Sequence, residues 1–201
     1  MKKELVILGS LFFLIGCATA RLGTGPEVYS LVEYPSTVRV GVAKAVDARG
    51  TDSAGTIGAC GIKIKDDELS TLATNYLLDG LNRQVKTNTV RVEKVSSENV
   101  SQLAAEHNVV YIVIAKISEL KMFSADAIMQ PVQVDCIMDL EIFDKTGRQV
   151  FHKSFAGAYQ ERIGLSIVDK ATGRLAERAV KDAVANLVKD PELQRILQSK
   201  Q

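Results

Sequence analysis

Val132-Gln133-Val134-Asp135-Cys136-Ile137-Met138-Asp139-Leu140-Glu141-Ile142-Phe143, then Asp144-Lys145-Thr146-Gly147-Arg148, then Gln149 to Tyr159: the fold turns on this stretch. Apolar side chains recur at every second position from Val132 to Ile142 with mostly polar ones between them, the period of a half-buried strand. The segment Asp144 to Arg148 has the composition of a turn, so the two flanks predict a long antiparallel hairpin. Upstream, Val109-Val110-Tyr111-Ile112-Val113-Ile114-Ala115 is continuously apolar and rich in β-branched residues, which predicts a strand buried on both faces at the centre of a sheet. Before it, Thr89 to Val95 reads as another strand. Ser96 or Ser97 is placed to cap a short helix carrying Val100, Leu103, Ala104 and His107.

Further toward the N-terminus, Leu69, Leu72, Ala73, Tyr76, Leu77 and Leu81 fall at helical spacing, and Asp66, Asp67 and Glu68 suit the positive end of that helix. Val38, Val40 and Val42 share one parity in a strand that ends near Asp47. Residues 48–65, dense in Gly, Ser and Thr, read as a long loop. Beyond the hairpin, Leu175, Ala179, Val180, Ala183, Val184 and Leu187 form one face of a helix from about Thr172 to Val188, and Asp190-Pro191-Glu192 starts a last short helix. The expected fold class is α/β in an α+β two-layer arrangement. It has one mixed sheet of about five strands, a long C-terminal antiparallel hairpin and two to four packed helices.

The N-terminus obeys different rules. Met1 to Glu4 is charged, and Leu5 to Ile15 is uncharged but far shorter than the roughly 20 residues that span a bilayer, so it reads as the apolar core of a signal peptide. The run ends in Leu14-Ile15-Gly16-Cys17, which resembles the bacterial lipobox. The resemblance implies diacylglycerol on Cys17, cleavage before it and acylation of the new amine. Two or three fatty chains anchor firmly where one holds only marginally. Ala18 rather than Asp at the second mature position implies, by the sorting rule of enterobacteria, delivery to the outer membrane. The expected organisation is a signal peptide over 1–16, the lipidated Cys17 with a flexible tether over 17–36, and a single periplasmic α/β domain over 37–201. Fully extended, the tether would reach about 60 Å.

Chemistry is harder to find. The chain has 25 basic and 24 acidic residues, and loss of Lys2, Lys3 and Glu4 leaves 23 of each, so nothing favours nucleic acid. Gly55 to Gly61 lacks the spacing of a phosphate-binding loop, and Asp66 and Asp67 would repel an anion. His107 and His152 stand in no metal-binding motif, and no serine lies in a nucleophile elbow. Asp135, Asp139 and Glu141 read as the solvated face of a strand. The expectation is therefore no catalytic residue, no metal and no cofactor. Cys60 and Cys136 are a candidate disulfide for an oxidising compartment, with two buried free thiols as the competing reading. Ile137, Phe143, Phe151, Phe155 and Tyr159 form a candidate partner surface if the hairpin is exposed, and core if the closing helix covers them.

Val38-Arg39-Val40-Gly41-Val42, Asp47-Ala48-Arg49, Gly55-Thr56-Ile57-Gly58, the helix from Leu69 to Leu81, and the hairpin through Val150-Phe151 together resemble the YajG-type lipoproteins of Gram-negative envelopes. That resemblance implies no catalytic residues. The function expected is that of an outer-membrane-anchored, non-catalytic accessory or assembly subunit of a cell-envelope system. Its partners would be the membrane and envelope proteins, met through the hairpin face and the loop 48–65. The alternative is a small periplasmic binding module for glycan, lipid or peptide that uses the Gly-rich loop as a lid.

Overall fold

The hairpin is present in the computed structural model as β8 (Val132–Asp144) and β9 (Gln149–Glu161), with Met138 opposite Phe155 and Ile142 opposite Phe151. The structure describes residues 18–26, 31–34, 38–57, 60–96, 98–124, 131–162 and 168–198, with backbone alone for Ala18, Cys60 and 168–170. The turn is closed by the Asp144 carboxylate, which accepts hydrogen bonds from the Thr146 amide, the Thr146 hydroxyl and the Arg148 amide. Burial alone would raise the pKa of Asp144. The bonds from Thr146 and Arg148 outweigh it and hold the carboxyl below the ordinary range.

β7 (Tyr111–Ser124) pairs with β8 and is twice as long as the apolar run predicts. The extra length hides in the sequence because the ladder slips between Ile117 and Glu119. Up to Ile117 the odd residues face the main core. After the slip Leu120 and Met122 do, so simple alternation fails at the bulge. Along the other edge of β7 run β2 (Arg39–Ala43), β3 (Val46–Asp47) and β4 (Ser53–Ile57) in succession, all parallel to it. β5 (Cys60–Lys63) returns antiparallel beside β4, β6 (Asn88–Val92) lies parallel to β2, and β1 (Ala18–Thr19) lies parallel to β5. The mixed sheet is as expected, with nine strands among the described residues because the short β1, β3, β4 and β5 add to the five expected.

The segment 48–65 is therefore not a loop or a lid. Ala54, Ile57, Ile62 and Ile64 of the β4–β5 hairpin are buried in the main core. Gly55, at φ 106°, lies against β7, where a Cβ would sit 2.1 Å from the Met122 carbonyl oxygen. Gly55 is required by that close approach, so a glycine that reads as loop composition serves a strand.

α1 (Asp66–Arg83) and α3 (Val168–Val188) cover one face of the sheet, and α4 (Pro191–Gln198) adds Leu193 and Leu197 to the same core. Asp190 caps α4 by accepting from the Glu192 and Leu193 amides and binds Lys153 of β9 at 2.6 Å. On the opposite face α2 (Val100–Glu106) seals a smaller cluster with Ala43, Ile112, Ile114 and Phe143. Ser97 lies outside the described residues, and Ser96 does not cap α2. Its N-cap is Asn99, whose side chain accepts from the Ser96 amide.

Cys136 is a buried free thiol, and burial pushes its pKa up to about 12. β4 and β7 lie between β5, which carries Cys60, and β8. Three ladder spacings amount to about 14 Å, twice the reach of a disulfide. Cys136 is thus free in this structure, and the side chain of Cys60 lies outside the described residues.

Candidate functional site: the N-terminal strap

Four polar side chains look misplaced on a helix and strand otherwise dedicated to packing: Glu68, Asn75 and Asn82 on α1, and Asn88 at the start of β6. The three on α1 are seven residues apart, so they line up along one face, two turns between each. Each holds the backbone of the chain that follows Cys17. The Leu22 amide donates to Glu68 Oε2 at 3.2 Å, and Asn75 Nδ2 donates to the Thr24 carbonyl at 2.6 Å. Asn82 takes both backbone groups of Val32, its Oδ1 accepting from N–H at 2.9 Å and its Nδ2 donating to C=O at 2.8 Å. Asn88 does the same for Tyr34, at 2.8 and 2.9 Å. Two primary amides thus stand in for a neighbouring strand, clasping alternate residues of an extended segment.

The asparagines are themselves fixed. Asn75 Oδ1 accepts from Arg91 at 2.5 Å, and Asn82 Nδ2 also donates to the Thr87 carbonyl at 2.9 Å. Asn82 is 1% exposed, so with the strap in place its amide is shut away from water and depends on these partners for its hydrogen bonds. Nearer Cys17 the strap is part of the sheet: Ala18 and Thr19 pair with Ile62 and Lys63, and the amide of the fully buried Ala20 donates to the Lys63 carbonyl at 2.9 Å. The strap then passes α3 at Gly173, where a Cβ would lie 2.0 Å from the Arg21 carbonyl oxygen. Tyr76 of α1 donates to Glu177 of α3 at 2.6 Å beside this passage, and burial followed by Glu177 raises the tyrosine pKa.

The expectation of a flexible tether over 17–36 is corrected for residues 18–26 and 31–34, which dock on the domain. Sequence reading missed this because the Gly and Pro residues there imitate a linker. The available signal was the seven-residue spacing of Glu68, Asn75 and Asn82. Cys17 itself and the lipobox lie outside the described residues.

The candidate partner surface is also redistributed. Phe143 is buried beneath α2, Phe151 and Phe155 are buried beneath α3, and Tyr159 packs against the same core under Arg178. Ile137 and Tyr159 are the half-exposed members of the five, and Ile137 stands on the open face of β8. Its neighbours there are in polar contacts: Asp135 accepts from Gln133, Asp139 from Ser154, and Glu141 from Lys116.

A cleft of about 450 Å³ opens beyond the C-terminal ends of β2 and β6, lined by Lys44, Asp47, Asp66, Asp67, Glu93 and Lys94 among others. Asp47 is occupied structurally, receiving Arg49 Nη2 at 2.5 Å with both side chains under 5% exposed. Burial would raise its pKa, but the hydrogen bonds and charge of Arg49 prevail and lower it. The remaining charges are of both signs, with two carboxylates at the start of α1, a poor receptor for an anion. Among the described residues no group of three or more His, Cys, Asp and Glu could hold a metal, and no helix is long and apolar enough to cross a membrane.

No family model and no curated protein matches the sequence. Solved structures do match in backbone path. Protein XCC0632 from Xanthomonas campestris, of family model DUF330, is similar at TM-score 0.48 with 12% identity, covering 86% of this chain and 92% of that one. The PelC dodecamer from Paraburkholderia phytofirmans is similar at TM-score 0.47 with 15% identity, covering 90% and 97%. A minor lipoprotein from Acinetobacter baumannii follows at TM-score 0.41 with 11% identity, covering 85% and 99%.

Proposed function

We propose that the protein is a bacterial outer-membrane lipoprotein, anchored by diacylglycerol on Cys17, that serves as a non-catalytic accessory or assembly subunit of a cell-envelope system. The observation that carries this reading is the sequence Leu14-Ile15-Gly16-Cys17 leading without a linker into a strap built into the fold. An anchor joined to a docked strap keeps the domain beside the bilayer, as suits a subunit that meets envelope proteins there. Ala18 in place of Asp supports delivery to the outer membrane.

Intact mass of the membrane-extracted protein tests it. The expected mass is that of residues 17–201 plus two or three acyl chains, absent from Cys17→Ser. An unlipidated product, or one cut elsewhere, removes the basis of the proposal. Cross-linking in intact envelopes tests the second half, and capture of no specific partner counts against an assembly role.

A further inference from the structure

Ala18 stands in a row that crosses the sheet: it pairs with Ile62, Ile62 with Gly55, and Gly55 with Met122. β1 and β5 run parallel, β5 and β4 antiparallel, and β4 and β7 parallel. The direction that leads from Ala18 back to Cys17 is therefore the direction that leads from Met122 on to Phe123 and Ser124. The Cα of Cys17 is one peptide unit, 3.8 Å, from that of Ala18. Ala18 is pinned by its ladder, by the buried Ala20 and by the passage at Gly173, so there is no slack between the lipid-bearing residue and the sheet. Phe123 lies three strand spacings across, about 14 Å away, at the same end. It is one of three large apolar side chains exposed among the described residues, at 49%.

We propose that this end of the sheet is a membrane seat, in which Phe123 enters the lipid interface as a second, non-covalent anchor beside the acyl chains of Cys17. The proposal rests on the lipoprotein reading. The occupant is a lipid surface because a bilayer holding the acyl chains of Cys17 lies within a few ångströms of Ala18, whose row ends beside Phe123. Phe is among the apolar side chains that bury at the boundary between headgroups and acyl chains. A pinned anchor plus one buried ring defines how the domain stands, which a lipid on a slack tether cannot do. Val46, equally exposed, pairs with Lys116, six residues back along β7 and so about 20 Å from the Ala18 row. It stands off the membrane.

The protein contains no tryptophan, so a single introduced one reports its own surroundings without interference. Lipidated full-length Phe123→Trp and Val46→Trp would be purified from membranes and reconstituted into vesicles of phosphatidylcholine brominated on its acyl chains. Both are exposed positions, and an unchanged cooperative melt verifies folding. Expected are loss of emission and a blue shift for Phe123→Trp, with Val46→Trp as bright as in unbrominated vesicles. Equal emission of Phe123→Trp in both vesicle types, from protein that floats with them and has the lipidated mass, overturns the seat and leaves the anchor standing. Quenching of both variants overturns the orientation. Protein of unlipidated mass that does not float overturns the anchor reading, and the seat with it.

Discussion

Asn82 shows how one side chain can decide whether an N-terminal segment is a leash or part of the domain. It is buried, and its amide serves Val32 twice and Thr87 once. Asn82→Ala leaves the buried Thr87 carbonyl without that partner, at a cost of about 1–3 kcal/mol, and gives up the part-buried bonds to Val32. The expected outcome is a lower melting temperature together with faster hydrogen exchange at the Val32 and Tyr34 amides. Exchange there no faster than in the parent would mean that the clasp does not hold the strap. Asn82→Leu separates the two effects, since it keeps the volume of the side chain while abolishing the clasp.

Among the elements, β9 poses a problem that α3 solves. β9 pairs only with β8 and so offers an open edge of thirteen residues, the kind that recruits another chain. α3 leans over that edge: Asp182 accepts from the Ala158 amide at 3.1 Å, and Asn186 donates to the Ala156 carbonyl at 2.9 Å. The close fit needs Gly157, where a Cβ would lie 2.2 Å from the Ala179 carbonyl oxygen. The double variant Asp182→Ala/Asn186→Ala is expected to form larger, concentration-dependent species in sedimentation velocity. An unchanged sedimentation profile would show that the edge needs no guard. The same elements mark where sequence reasoning works. The β8–β9 hairpin, α1, α3 and the Asp190 cap were legible because each is governed by a local period or a cap. The β4–β5 hairpin, the second half of β7 and the strap were not. Their form depends on a backbone approach at Gly55, a register slip near Ser118 and polar residues on a distant helix, none of which leaves a local period. Phe143, Phe151 and Phe155 were ambiguous for a related reason, since exposure depends on what α2 and α3 cover.

Over the whole molecule, three carboxylates join parts that are otherwise separate. Asp47 holds Arg49, whose guanidinium also reaches the Ile64 carbonyl just past β5, Asp144 closes the β8–β9 turn, and Asp190 links β9 to α4. Burial raises the pKa of each, but the hydrogen bonds from Arg49, from Thr146 and Arg148, and from Lys153 with two amides win, and all three are lowered. A carboxylate lower in the folded than in the unfolded chain, where it titrates near 3.9, contributes stability that is present above that value and lost as the pH falls through the folded one. Denaturant melts are thus expected to give constant stability from about pH 7 to 5 and a decline below about 4. Asp47→Asn should weaken that dependence, and a decline as steep as in the parent would mean that Asp47 takes no part in it. The clasped strap also sets a timetable. If Cys17 is matured as proposed, the enzymes that acylate it and cut before it have to draw it and its neighbours into their own clefts, where Ala18 and Thr19 cannot also pair with β5. On that reading the pairing of β1 with β5 follows maturation at Cys17, and a domain whose strap closed first would have to reopen it before it could be processed.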